Sequence, residues 1–277
     1  MKAFSISKNL ETAIKASLHA GKEIMKVYNS EIEVEYKDDK SPLTEADKRA
    51  NDIINSFLIP TEIPIISEEN KQTDYNERKH WNQCWIVDPV DGTKEFIKRN
   101  GEFTVNIALA EDGIPKLGVI YVPAIKTIYV ADVDSKQAFK AELNTHDVSI
   151  DEVLSSATQL IPKQDDSSLV EVVGSRSHMS QETLDYVEDL KQQGKEVHIV
   201  SKGSSLKFCL VAEGKADVYP RFAPTMEWDT AAGHAVLNGA GGAVVRFDDL
   251  MPLTYGKEDF ANPFFIAHAP GVELKAG

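Results

Sequence analysis

The spacing of apolar residues predicts two amphipathic helices in the first sixty positions. From Lys8 to Tyr28, apolar side chains recur at intervals of three and four residues. The same spacing returns over residues 44–58 and ends before Pro60. Between these two segments, residues 32–36 alternate apolar and polar side chains, which is typical of a half-buried strand.

The next hundred residues predict an antiparallel sheet. Short apolar runs at residues 63–66 and 84–87 have the length of strands. Three further runs over residues 104–131, separated by turns, predict an antiparallel meander. Residues 132–168 are polar and weakly patterned. We therefore place a domain boundary near residues 165–168, which divides the chain into domains 1–166 and 167–277.

Strand and helix patterns alternate in the second domain, and this alternation is typical of a layered α/β domain. The predicted strands cover residues 169–174, 197–201, 216–220 and 242–247, and the predicted helices cover residues 180–191, 204–213 and 229–237. We therefore expect an α/β fold, an α+β sandwich with α-β-α-β-α layers. Its first sheet is expected to be antiparallel and its second sheet mixed.

Composition and charge narrow the class of protein. The 277 residues include 30 Lys and Arg against 44 Asp and Glu, a net charge of −14, which disfavours nucleic-acid binding. The sequence contains neither a signal-peptide core nor an apolar run of about 18 to 20 residues. We therefore expect a cytoplasmic protein without a transmembrane segment. Peripheral association with the inner membrane stays open, although no basic amphipathic helix favours it, and no pattern indicates an oligomeric state.

Catalytic motifs of several other enzyme classes are missing. The sequence has no P-loop, no GxSxG elbow and no HExxH helix, and the glycine cluster at residues 239–242 follows a helix, the wrong order for a dinucleotide site. Cys84 and Cys209 lie in apolar runs without zinc-ligand spacing, so we expect buried, reduced thiols.

The strongest candidate chemistry lies where the apolar run at 84–87 ends in two aspartates. Asp88, Asp91 and the carbonyl of Val90 form a set of oxygen donors that suits a hard cation such as Mg²⁺. If Thr93 opens a helical turn, the amides of Gly92 and Thr93 can bind an anion beside that cation. An ordinary turn after a strand is the alternative.

Two other acidic positions are candidates for the same centre. Glu68 and Glu69 follow an apolar strand, and a cation would relieve their repulsion. Asp229 precedes a helix of small residues, from which it could reach a cleft between the domains. A solvated loop for the glutamates and a helix cap for Asp229 remain open alternatives.

Taken together, four motifs resemble the inositol monophosphatase-like family of metal-dependent, lithium-sensitive phosphatases. DPVDGTKEF is similar to that family's DPxDGTxxF signature and WDTAAG to its WDxxAG signature. SEEN resembles the family's acidic strand end, and KSPLTEAD resembles its early loop bearing an aspartate. All four occur in the family order, and the resemblance covers nearly the whole chain outside residues 134–168.

The resemblance implies a centre of two or three Mg²⁺ ions and a water nucleophile. It implies that Thr93, paired with Asp47, helps to orient and deprotonate the attacking water, with Glu68 nearby. The implied metal ligands are Glu68, Asp88, the carbonyl of Val90, Asp91 and Asp229. A direct attack by water fits the difficulty of hydrolysing a phosphate monoester, which two metals can assist at both reacting oxygens.

Within the family, residues 203–222 and 227–242 resemble the bacterial CysQ-type 3′(2′),5′-bisphosphate nucleotidases. The resemblance implies removal of the 3′-phosphate of adenosine 3′,5′-bisphosphate, a small-molecule substrate, to give AMP and phosphate in sulfate assimilation. 3′-Phosphoadenosine 5′-phosphosulfate is a second candidate substrate. An inositol monophosphatase or a sugar-bisphosphate phosphatase with the same metal centre is the alternative enzyme, and a catalytically silent binding protein is the alternative outside enzymes.

A nucleotide bisphosphate carries a second phosphate, which needs cationic side chains of its own. Lys207 and Arg221, in the nucleotidase-like segment, are the candidates, with an ordinary surface charge as the alternative for each. His178, together with Arg176, is a candidate for the nucleoside pocket. The expected substrate-binding residues are Glu68, Val90, Asp91, Gly92, Thr93, His178, Ser204, Lys207, Arg221 and Asp229.

Overall fold

The computed structural model describes residues 4, 6–30, 34–36, 42–164, 168–174 and 179–276. Its helices are α1 (Lys8–Tyr28), α2 (Glu45–Leu58), α3 (Tyr75–Arg78), α4 (Thr93–Ile97), α5 (Ile150–Ser155), α6 (Gln181–Gln192), α7 (Leu206–Ala212) and α8 (Glu227–Ala240). Its strands are β1 (Val34–Tyr36), β2 (Pro42–Thr44), β3 (Ile65–Ser67), β4 (Gln83–Asp91), β5 (Thr104–Glu111), β6 (Ile114–Val122), β7 (Thr127–Asp132), β8 (Gln137–Glu142), β9 (Ala157–Gln159), β10 (Leu169–Gly174), β11 (Glu196–Ser201), β12 (Val218–Arg221), β13 (Ala243–Arg246) and β14 (Phe265–His268).

In the described part of the chain, β3 to β9 form a seven-stranded sheet in sequence order. Every neighbouring pair is antiparallel except β3 and β4, which run parallel. The expectation of an antiparallel first sheet is therefore wrong at this edge. The connection at residues 68–82 contains α3 and returns the chain to the end where β3 began, which a parallel pair requires. As a result, β3 and β4 end at the same edge of the sheet.

The second sheet is mixed, as expected, and its order is β11-β10-β12-β14-β13. Strand β10 pairs in parallel with β11 and β12, whereas β14 pairs antiparallel with β12 and β13. The pattern of apolar positions did not predict β14. This strand lies between β12 and β13, so the sheet is not doubly wound throughout. Strands β1 and β2 form a separate antiparallel pair.

The elements stack in the predicted α-β-α-β-α order. Helices α1 and α2 pack on one face of the large sheet, and α8 packs on its other face and also reaches β13. Helix α7 packs on α8, β12 and β14. Along β10, Val173 belongs to the core between the two sheets, whereas Val172 packs with Val187 of α6 on the outer face. The second sheet is therefore covered on both sides.

Helix α1 shows why the sequence prediction succeeded at both of its ends. Ser7 caps the helix by accepting a hydrogen bond from the Leu10 N–H, and the helix spans the predicted residues. Gly21 lies on the buried stripe, where a Cβ would stand 2.4 Å from a ring carbon of Tyr121. A glycine here lets the helix approach the sheet closely.

Residues 132–168 are more regular than their weak pattern indicated, because β8, α5 and β9 lie within them. In β8, adjacent residues Ala138 and Phe139 are both buried, so the strand lacks the alternation that would have marked it. Residues 165–167 lie outside the described residues, and the boundary between domains 1–166 and 167–277 stays a prediction. No helix in the described ranges is both long enough and apolar enough to span a bilayer.

Candidate active site

Helix α2 begins with a capping box that fixes Asp47. The Asp47 carboxylate accepts hydrogen bonds from the N–H and the hydroxyl of Thr44, at 2.8 and 2.6 Å. Asp47 is buried, and burial raises its pKa above the usual range, although the bonds from Thr44 act in the opposite direction. The Thr93 hydroxyl lies 3.3 Å from Asp47 Oδ1 and 3.3 Å from the carbonyl oxygen of Val90. The predicted pair of Asp47 and Thr93 is therefore in contact.

Strand β4 brings Asp88 and Asp91 together through an irregularity. Two residues three apart face opposite sides of a regular strand, but the register shifts between Asp88, opposite Asn106, and Asp91, opposite Thr104. One extra residue on β4 changes the direction of the strand, as in a β-bulge. The N–H of Val90 donates to Asp88 Oδ1 at 3.0 Å within this turn. The irregularity allows both carboxylates to reach one site.

Gly92 ends β4 and caps α4, and its conformation requires glycine. Its φ is +91°, and a Cβ would lie 2.1 Å from the hydroxyl oxygen of Ser204. Thr93 opens α4, which meets the condition on which the anion-binding turn was predicted. Ser204, whose own φ is +49°, places its single hydroxyl proton between the carbonyl oxygens of Asp91 and Glu102, at 2.8 and 2.7 Å. The Ser204 hydroxyl is therefore engaged with the main chain.

Three carboxylates converge at the edge where β4 ends. One oxygen from each of Asp88, Asp91 and Asp229 lies within 4.8 Å of the others. Asp229 lies in the first turn of α8, where its Oδ2 accepts from the Met226 N–H at 2.8 Å, so it is inside the helix rather than before it. Glu68 follows β3, and its main-chain N–H donates to the carbonyl of Val87 on β4 at 3.1 Å.

The electrostatics of this cluster favour a cation. Burial raises the pKa of Asp88 well above its usual range, and the charges of Glu68, Asp91 and Asp229 raise it further. Burial and the charge of Asp91 raise the pKa of Asp229 to about 7. The carboxylates therefore repel one another, and a divalent cation would remove that cost. The donors are all oxygens, which fits Mg²⁺.

A cavity of about 520 Å³ opens beside the carboxylates. Its lining includes Glu68, Gly92 and Thr93, which places the predicted anion-binding turn at the cavity wall. Five basic side chains among the described residues also line it, in a protein of net charge −14. These are Lys94, Lys98, Lys202, Lys207 and Arg221. The acidic cluster thus adjoins a cavity with a basic lining.

The two predicted phosphate-binding cations lie in this cavity but differ in their surroundings. Lys207 donates to the carbonyl of Ser204 at 3.1 Å and lies 5.8 Å from the ring centroid of Tyr219. Arg221 donates from one terminal nitrogen to the carbonyl of Pro224 at 3.0 Å. Its Nε is buried and has no hydrogen-bond partner within the described residues. A buried donor without a partner is costly, so this nitrogen favours an anion nearby.

Not every residue of the site follows from the sequence. His178 and Arg176 lie outside the described residues. Conversely, Asn106 and Ser205, whose side chains contact Asp91, were not predicted. Asn106 gives one signal in hindsight, because it is a polar residue within the apolar run of β5. The expected buried thiols are confirmed, since Cys84 and Cys209 are both free and buried.

Known proteins with similar sequences cover almost the whole chain. Residues 6–269 match the inositol monophosphatase family. A curated relative from Salmonella typhimurium, named 3′(2′),5′-bisphosphate nucleotidase CysQ, is 43% identical over 92% of this chain and 98% of its own. A relative of the same name from Buchnera aphidicola is 45% identical over 95% of this chain and 94% of its own.

A solved structure supports the same grouping. The crystal structure of CysQ from Bacteroides thetaiotaomicron, described as a bacterial member of the inositol monophosphatase family, superposes with a TM-score of 0.83. It shares 48% sequence identity and covers 94% of this chain and 97% of its own. Both the family match and these relatives extend over the two sheets and over the carboxylates. The chain belongs to the inositol monophosphatase family.

Proposed function

We propose that this protein is a metal-dependent 3′(2′),5′-bisphosphate nucleotidase. It removes the 3′-phosphate of adenosine 3′,5′-bisphosphate and gives AMP and inorganic phosphate. The observation that carries the proposal is the pairing of a partly buried carboxylate cluster with the basic lining of the adjacent cavity. The CysQ relatives, at 43% and 45% identity over nearly their full length, support the choice of substrate.

The carboxylate cluster is the proposed metal site. Glu68, Asp88, Asp91 and Asp229 supply carboxylate oxygens, and Val90 supplies its main-chain carbonyl. The cations are two or three Mg²⁺ ions. When bound, they supply a more acidic water and neutralise negative charge on the leaving oxygen.

Asp47 and Thr93 handle the proton of the attacking water in this proposal. Thr93 accepts a proton at its Oγ1 while it donates its own proton toward Asp47 Oδ1, 3.3 Å away. The bonds from Thr44 hold the other Asp47 oxygen in place. Burial raises the pKa of Asp47, which makes its carboxylate a stronger base than an exposed one. Glu68 lies near the same water.

The basic lining holds the substrate in this proposal. Arg221 presents an unpaired Nε–H, and Lys207 presents an ammonium group, to the phosphate that is not cleaved. Gly92 and Thr93 contribute main-chain N–H groups to the cleaved phosphate at the start of α4. Ser204 lines the cavity beside Gly92, and His178 stays a predicted residue of the nucleoside pocket.

The proposal also includes a pathway, a cellular location, an inhibitor and a second substrate. The enzyme acts in sulfate assimilation in the cytoplasm, it is inhibited by lithium, and it accepts 3′-phosphoadenosine 5′-phosphosulfate as a second substrate. The pathway and the second substrate depend on the nucleotide class of substrate, whereas inhibition by lithium follows from the resemblance to the family. An inositol monophosphatase would share the carboxylates but would have no use for basic residues at a second phosphate. A sugar-bisphosphate phosphatase would use both groups, so the comparison of substrates below must separate it from the nucleotidase.

The test is phosphate release with Mg²⁺ from three substrates at equal concentration: adenosine 3′,5′-bisphosphate, inositol 1-phosphate and fructose 1,6-bisphosphate. We expect kcat/KM for the nucleotide to exceed the others by about 100-fold or more, roughly 2.7 kcal/mol of transition-state binding. Comparable turnover of inositol 1-phosphate would overturn the substrate assignment but keep the metal chemistry. Nucleotide binding without phosphate release would make the chain a silent binding protein.

A further inference from the structure

One carboxylate oxygen of Asp91 is held by donors from two distant parts of the chain. The main-chain N–H of Ser205 donates to Asp91 Oδ2 at 2.6 Å, and the amide nitrogen of Asn106 donates to it at 3.3 Å. The Ser205 hydroxyl lies 3.0 Å from the same oxygen. No hydrogen bond to Asp91 Oδ1 occurs among the described residues. Oδ1 is therefore the oxygen left for a cation.

Asn106 is placed and oriented for this contact. Its side chain is completely buried on β5, where an amide is tolerated only with hydrogen-bond partners. The hydroxyl of Thr104 lies 3.0 Å from Asn106 Oδ1 and 3.4 Å from Asp91 Oδ2, and its shorter bond to Asn106 directs the amide nitrogen the other way. The two hydrogens of that nitrogen meet Ser205 Oγ at 2.8 Å and Asp91 Oδ2 at 3.3 Å.

Ser205 connects two of the proposed metal ligands. It precedes α7, is 1% exposed, and lies between β4 of the first sheet and α8. Its hydroxyl has one proton, and two acceptors lie 3.0 Å away: Asp91 Oδ2 and the main-chain oxygen of Asp229. Donation to the Asp229 carbonyl bonds Ser205 to both residues at once, because its main-chain N–H remains on Asp91.

We propose that Asn106 and Ser205 are positioning residues that fix Asp91 as a one-oxygen metal ligand and set its distance from Asp229. The inference rests on the metal centre of the proposed function and not on its substrate. Donors that orient a ligand carboxylate reduce the conformational freedom that cation binding would otherwise remove. Losing such an outer contact typically weakens metal affinity by 10-fold to 100-fold.

Direct binding of Mn²⁺ to the substrate-free protein tests the proposal. Free Mn²⁺ is measured by electron paramagnetic resonance for the wild type, Asn106→Leu and Ser205→Ala. We expect about 10-fold or greater weakening in Asn106→Leu. Ser205→Ala should show a smaller loss of about threefold, because it keeps its main-chain N–H. Ser17→Ala is the matched control, since Ser17 is equally buried but donates within α1 to the carbonyl of Ile14.

A conservative pair separates positioning from simple packing. Thr104→Val removes the hydroxyl that orients Asn106 and that also lies 3.4 Å from Asp91 Oδ2, so it should weaken Mn²⁺ binding. Thr104→Ser keeps a hydroxyl and should bind Mn²⁺ as the wild type does. If Asn106→Leu does not fold, this pair and Ser205→Ala decide the question.

Wild-type Mn²⁺ affinity in the folded variants would overturn the proposal. A loss of stability toward urea without a change in Mn²⁺ affinity would also overturn it, because the contacts would then be merely structural. If the wild type itself binds no Mn²⁺, the proposed metal centre fails and this inference fails with it. An unexpected substrate preference would leave the inference standing, because no substrate is present.

Discussion

The carboxylate cluster and the basic lining of the adjacent cavity, here named the acidic wall and the basic wall, differ in how their charged groups are held. The carboxylates of Asp88, Asp91 and Asp229 come from a strand end and a helix start, and each accepts a hydrogen bond from a main-chain N–H. Lys207 and Arg221 are instead long side chains, and the Arg221 Nε is buried without a partner in the described residues. The carboxylates of the acidic wall are thus held in place before a ligand binds. The basic wall, in contrast, contains a hydrogen-bond donor, the Arg221 Nε–H, that has no partner in the described residues.

This difference suggests a division of labour between the walls. Preorganised oxygens suit a step that needs fixed geometry, as metal-assisted phosphate transfer does. Long cationic side chains suit recognition of a phosphate that does not react. Changes in the acidic wall should therefore reduce kcat for every substrate, and changes in the basic wall should alter KM for substrates with a second phosphate.

The largest effect is expected from Asp91→Asn. Removing one charged ligand forfeits several kcal/mol of stabilisation, so kcat should fall by about 10³-fold or more for both the nucleotide and inositol 1-phosphate. Steady-state phosphate release at saturating Mg²⁺ measures this. The fold should persist, as followed by circular dichroism, and the exposed Asp134→Asn is the matched control. Activity retained by Asp91→Asn would refute the metal assignment.

Thr93→Val should give the next largest effect. The variant keeps the shape of the side chain but loses the hydroxyl beside Asp47, so kcat should fall by about 100-fold with little change in KM. Thr93→Ser retains a hydroxyl and should keep most of the activity. Equal kcat values for the valine and serine variants would remove Thr93 from the proton path.

Arg221→Ala should act on recognition alone. Loss of a charge-assisted hydrogen bond of about 2 kcal/mol would raise KM for adenosine 3′,5′-bisphosphate by about 30-fold. Turnover of inositol 1-phosphate should hardly change, because it lacks the second phosphate. Arg246→Ala, which breaks a surface pair with Asp249, is the control. Equal losses on both substrates would contradict the division between the walls.

The last prediction concerns the stability of the metal-free protein rather than its activity. The folded pKa of Asp229 is about 7 and the unfolded value is about 3.9, so the folded state binds more protons between these values. Stability of the metal-free protein should therefore fall as pH rises from about 4 to 7. Asp229→Asn should match the wild type near pH 4 and become progressively more stable than the wild type as the pH rises to 8.

Urea unfolding in the presence of a chelator measures this difference, and saturating Mg²⁺ should reverse the order at pH 8. A metal-free wild type that is as stable as the variant at pH 8 would show that the carboxylates do not repel one another as described. The pH profile thus tests the acidic wall without relying on catalysis.

The sequence alone was sufficient where local rules and tertiary structure agree. Helix α1 carries its cap and its apolar stripe within one segment, so its bounds were predictable. The motif around Asp88 and Asp91 was also visible, because a buried strand, a turn glycine and two carboxylates adjoin one another. Asp229 was recognisable as a candidate but was placed before α8, although it lies in the first turn.

Features that depend on pairing between distant segments were not predictable. The irregularity in β4 exists only in register with β5, and the parallel direction of β3 follows from where its connection returns. Asn106 and Ser205 are 99 residues apart in sequence and meet only in the fold. Strand β8 is buried on adjacent positions, so its pattern does not alternate. All of these features depend on contacts with distant segments of the chain, and the sequence of one segment does not contain that information.

Anomalous diffraction from a crystal soaked in Mn²⁺ and AMP tests the central claim most directly. The account predicts Mn²⁺ peaks within about 2.5 Å of carboxylate oxygens of Asp88, Asp91 and Asp229, with Asp91 binding through Oδ1. The AMP phosphate should lie against the side of the cavity formed by Lys207 and Arg221. An absence of peaks at the three aspartates, or Mn²⁺ bound elsewhere with the nucleotide, would contradict the account.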